Sequence, residues 1–192
     1  MGRPREFDPN EALEQALQVF WAKGYEAASL TDLTGAMGLS KSSLYETFGS
    51  KHELFLATIE RYKATTGARL AALLDGEGPA REAIAAVFES VIEDASHGDT
   101  RGCFLGNCAA EVAASDPAAA ERVRAGLAGL EDAFHAAIAR GQAAGEIPAE
   151  HDARGLARYL TSSLNGLRLT AKANPDPASL RDVVRLVLAP LD

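Results

Sequence analysis

With 192 residues, 47% of them hydrophobic, the chain is long enough to bury a core without disulfides or a structural metal. A net charge of −8 argues against a protein that coats nucleic acid without specificity, although the distribution of charge matters more than its total. Residues 1–63 carry 7 Lys and Arg against 9 Asp and Glu, so they are less acidic than the remainder but not basic. No apolar run is long enough to span a membrane, and the stretch from Met1 to Glu11 has no apolar core of a signal peptide. The expectation is a cytoplasmic protein without a membrane partner.

In chain order almost everything reads as helix, and no run alternates β-branched with polar residues. Asp8-Pro9-Asn10-Glu11 opens the first helix, with Asp8 as cap, Pro9 at the first position and Glu11 closing a capping box. Leu13, Ala16, Leu17 and Phe20 recur at helical spacing and mark its buried face. Gly24-Tyr25 ends it. Ser29 with Asp32 starts a short second helix that Gly38 breaks, and Ser40 starts a third that runs to about Thr47. Ser50 with Glu53 opens a long fourth helix, expected to run without interruption to about Leu74. Five more helices follow, over about 80–96, 102–114, 117–144, 149–173 and 177–189, separated by turns rich in Gly, Asp and Pro. The fold expected is all-α, with nine helices in two parts.

The segment from Ser29 to Lys51 is the informative one. Two short helices joined by the turn Met37-Gly38-Leu39-Ser40 form a helix-turn-helix pattern. Ala36 and Leu39 are small and apolar where the two helices are expected to meet. The second of them offers Lys41, Ser42, Ser43, Tyr45 and Thr47 outward, with Leu44 and Phe48 toward a core. Such side chains suit phosphates and base edges, and the helix N-terminus adds free amides.

The runs Ser29-Leu30-Thr31-Asp32-Leu33, Gly38 to Phe48, and Ser50-Lys51-His52-Glu53-Leu54-Phe55 closely resemble the TetR family of repressors, over about residues 9–56. The resemblance implies a DNA-binding domain over residues 1–50, with the start of a connecting helix to about 56, and a ligand-sensing and dimerisation domain over 51–192. It implies DNA contacts by Ser29, Thr31, Lys41, Ser42, Ser43, Tyr45, Thr47 and Lys51, and a basic arm of Arg3 and Arg5 in the minor groove. Thr47 stands where the family often has His. Glu46 can accept from a cytosine amino group, or be solvated or paired with a nearby Lys, and the sequence leaves these open. The partners implied are a double-stranded operator, a second copy of the chain and a small-molecule inducer or electrophile.

The later helices carry broad apolar faces: Leu156, Tyr159, Leu160, Leu164 and Leu167, then Leu180, Val183, Val184, Leu186, Val187 and Leu188. In TetR-like proteins the equivalent helices pair across a two-fold axis, which would place two recognition helices on a palindromic site. The alternative is that these faces only fill the monomer core. A ligand pocket is expected among the middle helices, with Phe88, Ile92, Phe104, Leu105, Leu130 and Phe134 as candidate linings.

Cys103 and Cys108 are too few for a disulfide framework and are not spaced as a zinc knuckle. Gly102-Cys103-Phe104-Leu105-Gly106-Asn107 followed by Glu111 is similar to a TetR subgroup that includes the repressor of N-ethylmaleimide reductase, whose members respond to electrophiles through cysteine. Cys103 falls near a helix start, which favours a thiolate, and Arg101 is expected to add positive charge. The bland reading makes both thiols small buried hydrophobes. Asn107 and Glu111, four apart, share a helix face and either touch a ligand or satisfy backbone groups. An enzyme using Cys103 with His97 or His135 is the rival of another class, and a helical interaction module is a second. The four histidines form no catalytic arrangement, and no phosphate loop or metal-ligand pair is present, so neither cofactor nor metal is expected.

Overall fold

The computed structural model describes residues 7–192; Arg3 and Arg5 lie outside the described residues. Among the described residues there are nine helices and no strand. They are α1 (Pro9–Lys23), α2 (Leu30–Met37), α3 (Lys41–Phe48), α4 (51–74), α5 (Ala80–Ser96), α6 (Phe104–Glu111), α7 (Pro117–Ala143), α8 (Ala153–Ala173) and α9 (Pro177–Leu188). No helix among the described residues is long and apolar enough to cross a membrane.

Short polar side chains set most of the helix starts. Asp8, Ser29, Ser40, Ser50, Asp116, Asp152 and Asp176 each accept a hydrogen bond from a backbone amide in the first turn that follows. Among the described residues only Ser29 and Asp32 form a reciprocal capping box with both bonds present. Glu11 is exposed and Asp8 serves the Asn10 amide alone, so the box expected there is not made.

Three elements depart from the sequence reading. First, α4 is not uniform: Lys51–Tyr62 and Ala68–Leu74 are joined by a π turn at Lys63–Gly67. Second, α6 is shorter than the expected 102–114, because Cys103 itself is the cap and Val112 leaves the helix with φ −123°. Third, α8 starts at Ala153, where Asp152 supplies the cap, rather than at 149.

Two apolar cores result. A head core gathers Ala16, Leu17 and Phe20 of α1, Leu33 of α2, Leu44 of α3, and Leu54, Phe55 and Ile59 of α4. It also takes in Cys103, Phe104, Leu105, Cys108, Val112, Ala119 and Val123, so α6 and the start of α7 pack on the head although they come late in the chain. Each fully buried Phe or Leu contributes about 1.5–3 kcal/mol of transfer free energy. A body core runs from Leu70 through α5, α7 and α8 to Leu191.

Most of the residues expected at a dimer interface belong to that body core. Leu156, Leu160, Leu164, Leu167, Leu180, Val184 and Val187 are at most 7% exposed within one chain. The reason is periodicity: α8 and α9 are apolar on two faces, and these residues lie on the inward one. The outward face carries Tyr159, Leu169, Val183 and Leu186.

Candidate nucleic-acid interface and ligand cavities

Leu44 has no exposure and anchors α3, with Phe48 half-buried beside it. Lys41, Ser42, Tyr45, Glu46 and Thr47 are then exposed together, and Ser43 is half-buried. Tyr45 is 45% exposed, a large aromatic left in solvent on the surface opposite the anchor. The turn before α3 depends on Gly38, which sits in the left-handed region at φ 65° and closes α2 by donating to Thr34 O. Leu33 and Met37 fill the contact below the turn, whereas Ala36, expected there, is exposed.

Ser40 organises the recognition surface. Its hydroxyl accepts from the Ser43 amide at 3.1 Å and lies 2.9 Å from the hydroxyls of both Ser42 and Ser43. Ser29 and Thr31 are exposed at the start of α2, but the Ser29 hydroxyl donates to Asp32 at 2.7 Å and is committed to the capping box. Lys51 Nζ lies 4.5 Å from the Tyr25 ring centre, which ties it to the end of α1. Glu46 enters no ion pair among the described residues and is solvated.

The head is clamped to the later chain by contacts that sequence reasoning missed. Trp21 Nε1 donates to Gly102 O at 3.1 Å, and the Arg101 guanidinium stacks 4.2 Å from the Trp21 ring centre. Arg101 also pairs with Asp99 at 2.7 Å and donates to Gln18. That partnership holds the Asp99 carboxyl below its usual range and commits the charge expected to act on Cys103. The Glu111 carboxylate accepts from the Tyr25 and Glu26 amides at 3.0 and 2.9 Å, in the nook left by Gly24. His52 Nε2 meets Asp116 at 2.7 Å. The contacts of α1 and its end with Arg101, Gly102 and Glu111 join residues 81–86 positions apart, and His52 and Asp116 are 64 apart, so no local pattern announces them.

Two cavities flank the π turn. An apolar cavity of about 270 Å³ is lined by Gly67, Leu70, Cys103, Leu105 and Leu130 among others. A polar cleft of about 410 Å³ opens between α1, the π turn, the end of α5, the 99–102 loop and α8. Tyr62 and Arg168 border both. Cys103 is buried; its sulfur accepts from the Gly106 amide at 3.4 Å and lies 4.0 Å from the Tyr62 hydroxyl. Burial, reinforced by Cys103, pushes the Tyr62 phenol well above its ordinary value, so it stays a neutral donor. Burial pushes the Cys108 thiol up to about 12.

Other expected pocket residues lie elsewhere. Phe88 and Phe134 have no exposure, pack with ring centres 6.2 Å apart and line neither cavity; with Ile92 they fill the body core. Phe104 joins an aromatic cluster with Trp21, Phe55 and Tyr62. Asn107 donates to Arg101 O at 3.0 Å, so both it and Glu111 serve backbone groups rather than a cavity.

Family models match two stretches of the chain: "Bacterial regulatory proteins, tetR family" over residues 12–58, and "Tetracyclin repressor-like, C-terminal domain" over 78–187. The transcriptional repressor ComR of Escherichia coli is 33% identical over 187 residues, 96% of this chain and 88% of that protein. A cysteine-substituted form of the TetR family regulator CifR, solved with 26-bp double-strand operator DNA, is 34% identical with a TM-score of 0.87, over 100% of both chains. The reduced form of NemR from E. coli is 25% identical with a TM-score of 0.84, over 92% of this chain and 93% of that one. The helix-turn-helix head, the all-helical fold and these full-length similarities agree, and the chain belongs to the TetR family of bacterial transcription regulators.

Proposed function

We propose that the chain is a repressor that binds a palindromic operator as a homodimer and is released by a small molecule or electrophile acting at the apolar cavity. Residues 1–50 serve DNA binding, and residues 51–192 serve sensing and dimerisation. The observation that carries DNA binding is the exposed α3 surface around Tyr45, set on a buried Leu44, in a chain similar from end to end to an operator-bound regulator. In this reading α3 enters the major groove, where Ser42, Ser43, Tyr45 and Thr47 read base edges. Lys41 and Lys51 meet phosphates, with Ser29 and Thr31 at the flank and Arg3 and Arg5 in the minor groove. Phosphate contacts then make affinity steeply salt-dependent. An anisotropy titration with DNA flanking its own gene tests this; a Tyr45→Ala variant that bound as tightly as wild type would overturn it.

Release is assigned to Cys103, which faces the apolar cavity and caps α6. An α,β-unsaturated carbonyl electrophile such as N-ethylmaleimide adds there as follows. The thiol gives up its proton, sulfur bonds to the β-carbon as the alkene π bond breaks to an enolate, and the enolate takes a proton at the α-carbon, restoring the carbonyl. The adduct removes the sulfur cap of α6, and the far end of that helix bears Glu111, which holds the end of α1. A coupling of about 1–3 kcal/mol changes operator affinity about 5–150-fold. Cys103→Ser should keep operator binding and lose release by N-ethylmaleimide. Cys108, its thiol pushed up to about 12, should stay unlabelled until the protein unfolds. Labelling of Cys103 without loss of operator binding would sink the sensor reading and leave DNA binding intact.

A further inference from the structure

The polar cleft at the head–body junction has no part in the release just described. Its lining holds three acids and three arginines, and half of those charges are already engaged. Glu14 pairs with Arg61 at 2.9 Å, and Asp99 pairs with Arg101 at 2.7 Å. What remains is Arg69, just past the π turn, Arg168 on α8, and Asp94 near the end of α5. Among the described residues, neither arginine enters an ion pair or a side-chain hydrogen bond, and the Asp94 carboxylate accepts none. Arg69, Arg168 and Asp94 line the one cleft, where partial burial and the Asp99 charge push the Asp94 carboxyl up and the two cations act against them. Thr66 and Thr100 line the same cleft with hydroxyls that bond to no other described residue.

Two unpaired guanidiniums beside one carboxylate leave a local excess of positive charge in a protein whose total is −8. A guanidinium fork matches a carboxylate in two parallel hydrogen bonds. The volume of about 410 Å³ falls within the range of small-molecule sites. We propose that this cleft binds a small organic carboxylate bearing a hydroxyl or amino donor, its acid held between Arg69 and Arg168 and its donor facing Asp94. A phosphate dianion fits less well, because its second negative charge is repelled by the Asp94 carboxylate that lines the same cleft. The occupant touches α1 through Trp21, α4 through Thr65 and Thr66, and the body through Arg168, so it fixes the head against the body in the arrangement seen here. The site is separate from the Cys103 chemistry and shares only the Tyr62–Arg168 partition with it.

The test is calorimetry and thermal unfolding of the full-length protein with sodium lactate, malate, 3-hydroxybutyrate and serine, and with inorganic phosphate at matched ionic strength. The expected result is saturable binding of at least one of the four, with a rise in Tm. Arg69→Gln, at an exposed position, should weaken it about tenfold or more, Arg168→Gln similarly, and Cys103→Ser should leave it unchanged. Circular dichroism of each variant separates lost binding from lost fold, and Arg69→Gln serves alone if Arg168→Gln unfolds. No saturable binding by any of the four overturns the proposal. So does binding that survives in the Arg69→Gln/Arg168→Gln double variant, or phosphate binding as tightly as the carboxylates.

Discussion

Glu111 serves two amides with one carboxylate, at the point where α1 stops. Gly24 has φ 82°, and a Cβ there would lie 2.6 Å from Glu111 Oε2, so the glycine and the acid fit as a pair. Hydrogen bonds to a charged acceptor are worth about 1.5–3 kcal/mol when sheltered. These are exposed, and water takes part of the loss. Glu111→Ala should therefore cost about 1–2 kcal/mol and lower Tm by about 2–4 °C per kcal/mol. Glu111→Gln keeps one acceptor oxygen and should lose about half as much. Gly24→Ala should cost more than either, since the left-handed backbone and the crowded carboxylate both resist it. Thermal melts of the three variants check the order, and equal melting of Glu111→Ala and wild type would refute the clamp. The sequence placed Glu111 on a helix face with Asn107 but left its partner open, because the amides it serves are 85 and 86 residues away.

At the scale of the element, caps were the most legible feature and helix interiors the least. Ser29 with Asp32, Ser40 and Ser50 mark their helix starts because a short side chain followed by free amides is a local signal. The π turn at Lys63–Gly67 has no such signal: Lys-Ala-Thr-Thr reads as ordinary helix, and what sits against the turn is Gly126 of α7, far away in the chain, with Leu105 of α6 beside it. The early stop of α6 was hidden likewise, since Val112 leaves the helix to fill the head core. The box at α2 carries a pH prediction. The hydrogen bond from Lys23, then those from Ser29, hold the Asp32 carboxyl well below its usual range. A depressed folded value means the stabilisation is full above the unfolded value near 3.9 and is lost as pH falls through the folded one. The stability gap between wild type and Asp32→Ala should thus be open at pH 7 and shrink as pH drops below about 4. Denaturant titrations at several pH values read that gap, and a gap that widened with acid would contradict the assignment.

For the whole molecule, the division between head and body is written in packing rather than in chain order. α6 and the start of α7 complete the head core, so Cys103 and Leu105 at the cavity and Leu44 under the recognition helix belong to one packed cluster. The residues on α8 and α9 show what the sequence alone leaves undecided. Periodicity finds apolar faces but not which of two faces a body covers, and eight of the eleven apolar residues read from the sequence on these two helices turn inward. Exposed large hydrophobics are six among the described residues, and four of them, Tyr159, Leu169, Val183 and Leu186, lie on these two helices. Such concentration marks a contact surface rather than scattered exposure. Leu169 and Leu186 are the most exposed, at 68% and 64%, so replacing them by Arg leaves the body core untouched. The Leu169→Arg/Leu186→Arg variant should keep its helical signal and melt close to wild type, yet sediment as a monomer. Operator affinity should fall by about 10²-fold or more, because the two recognition helices no longer bind as one linked unit. A variant that stayed dimeric in sedimentation would move the interface off this face, whereas a monomer with unchanged operator affinity would break the link between symmetry and DNA reading.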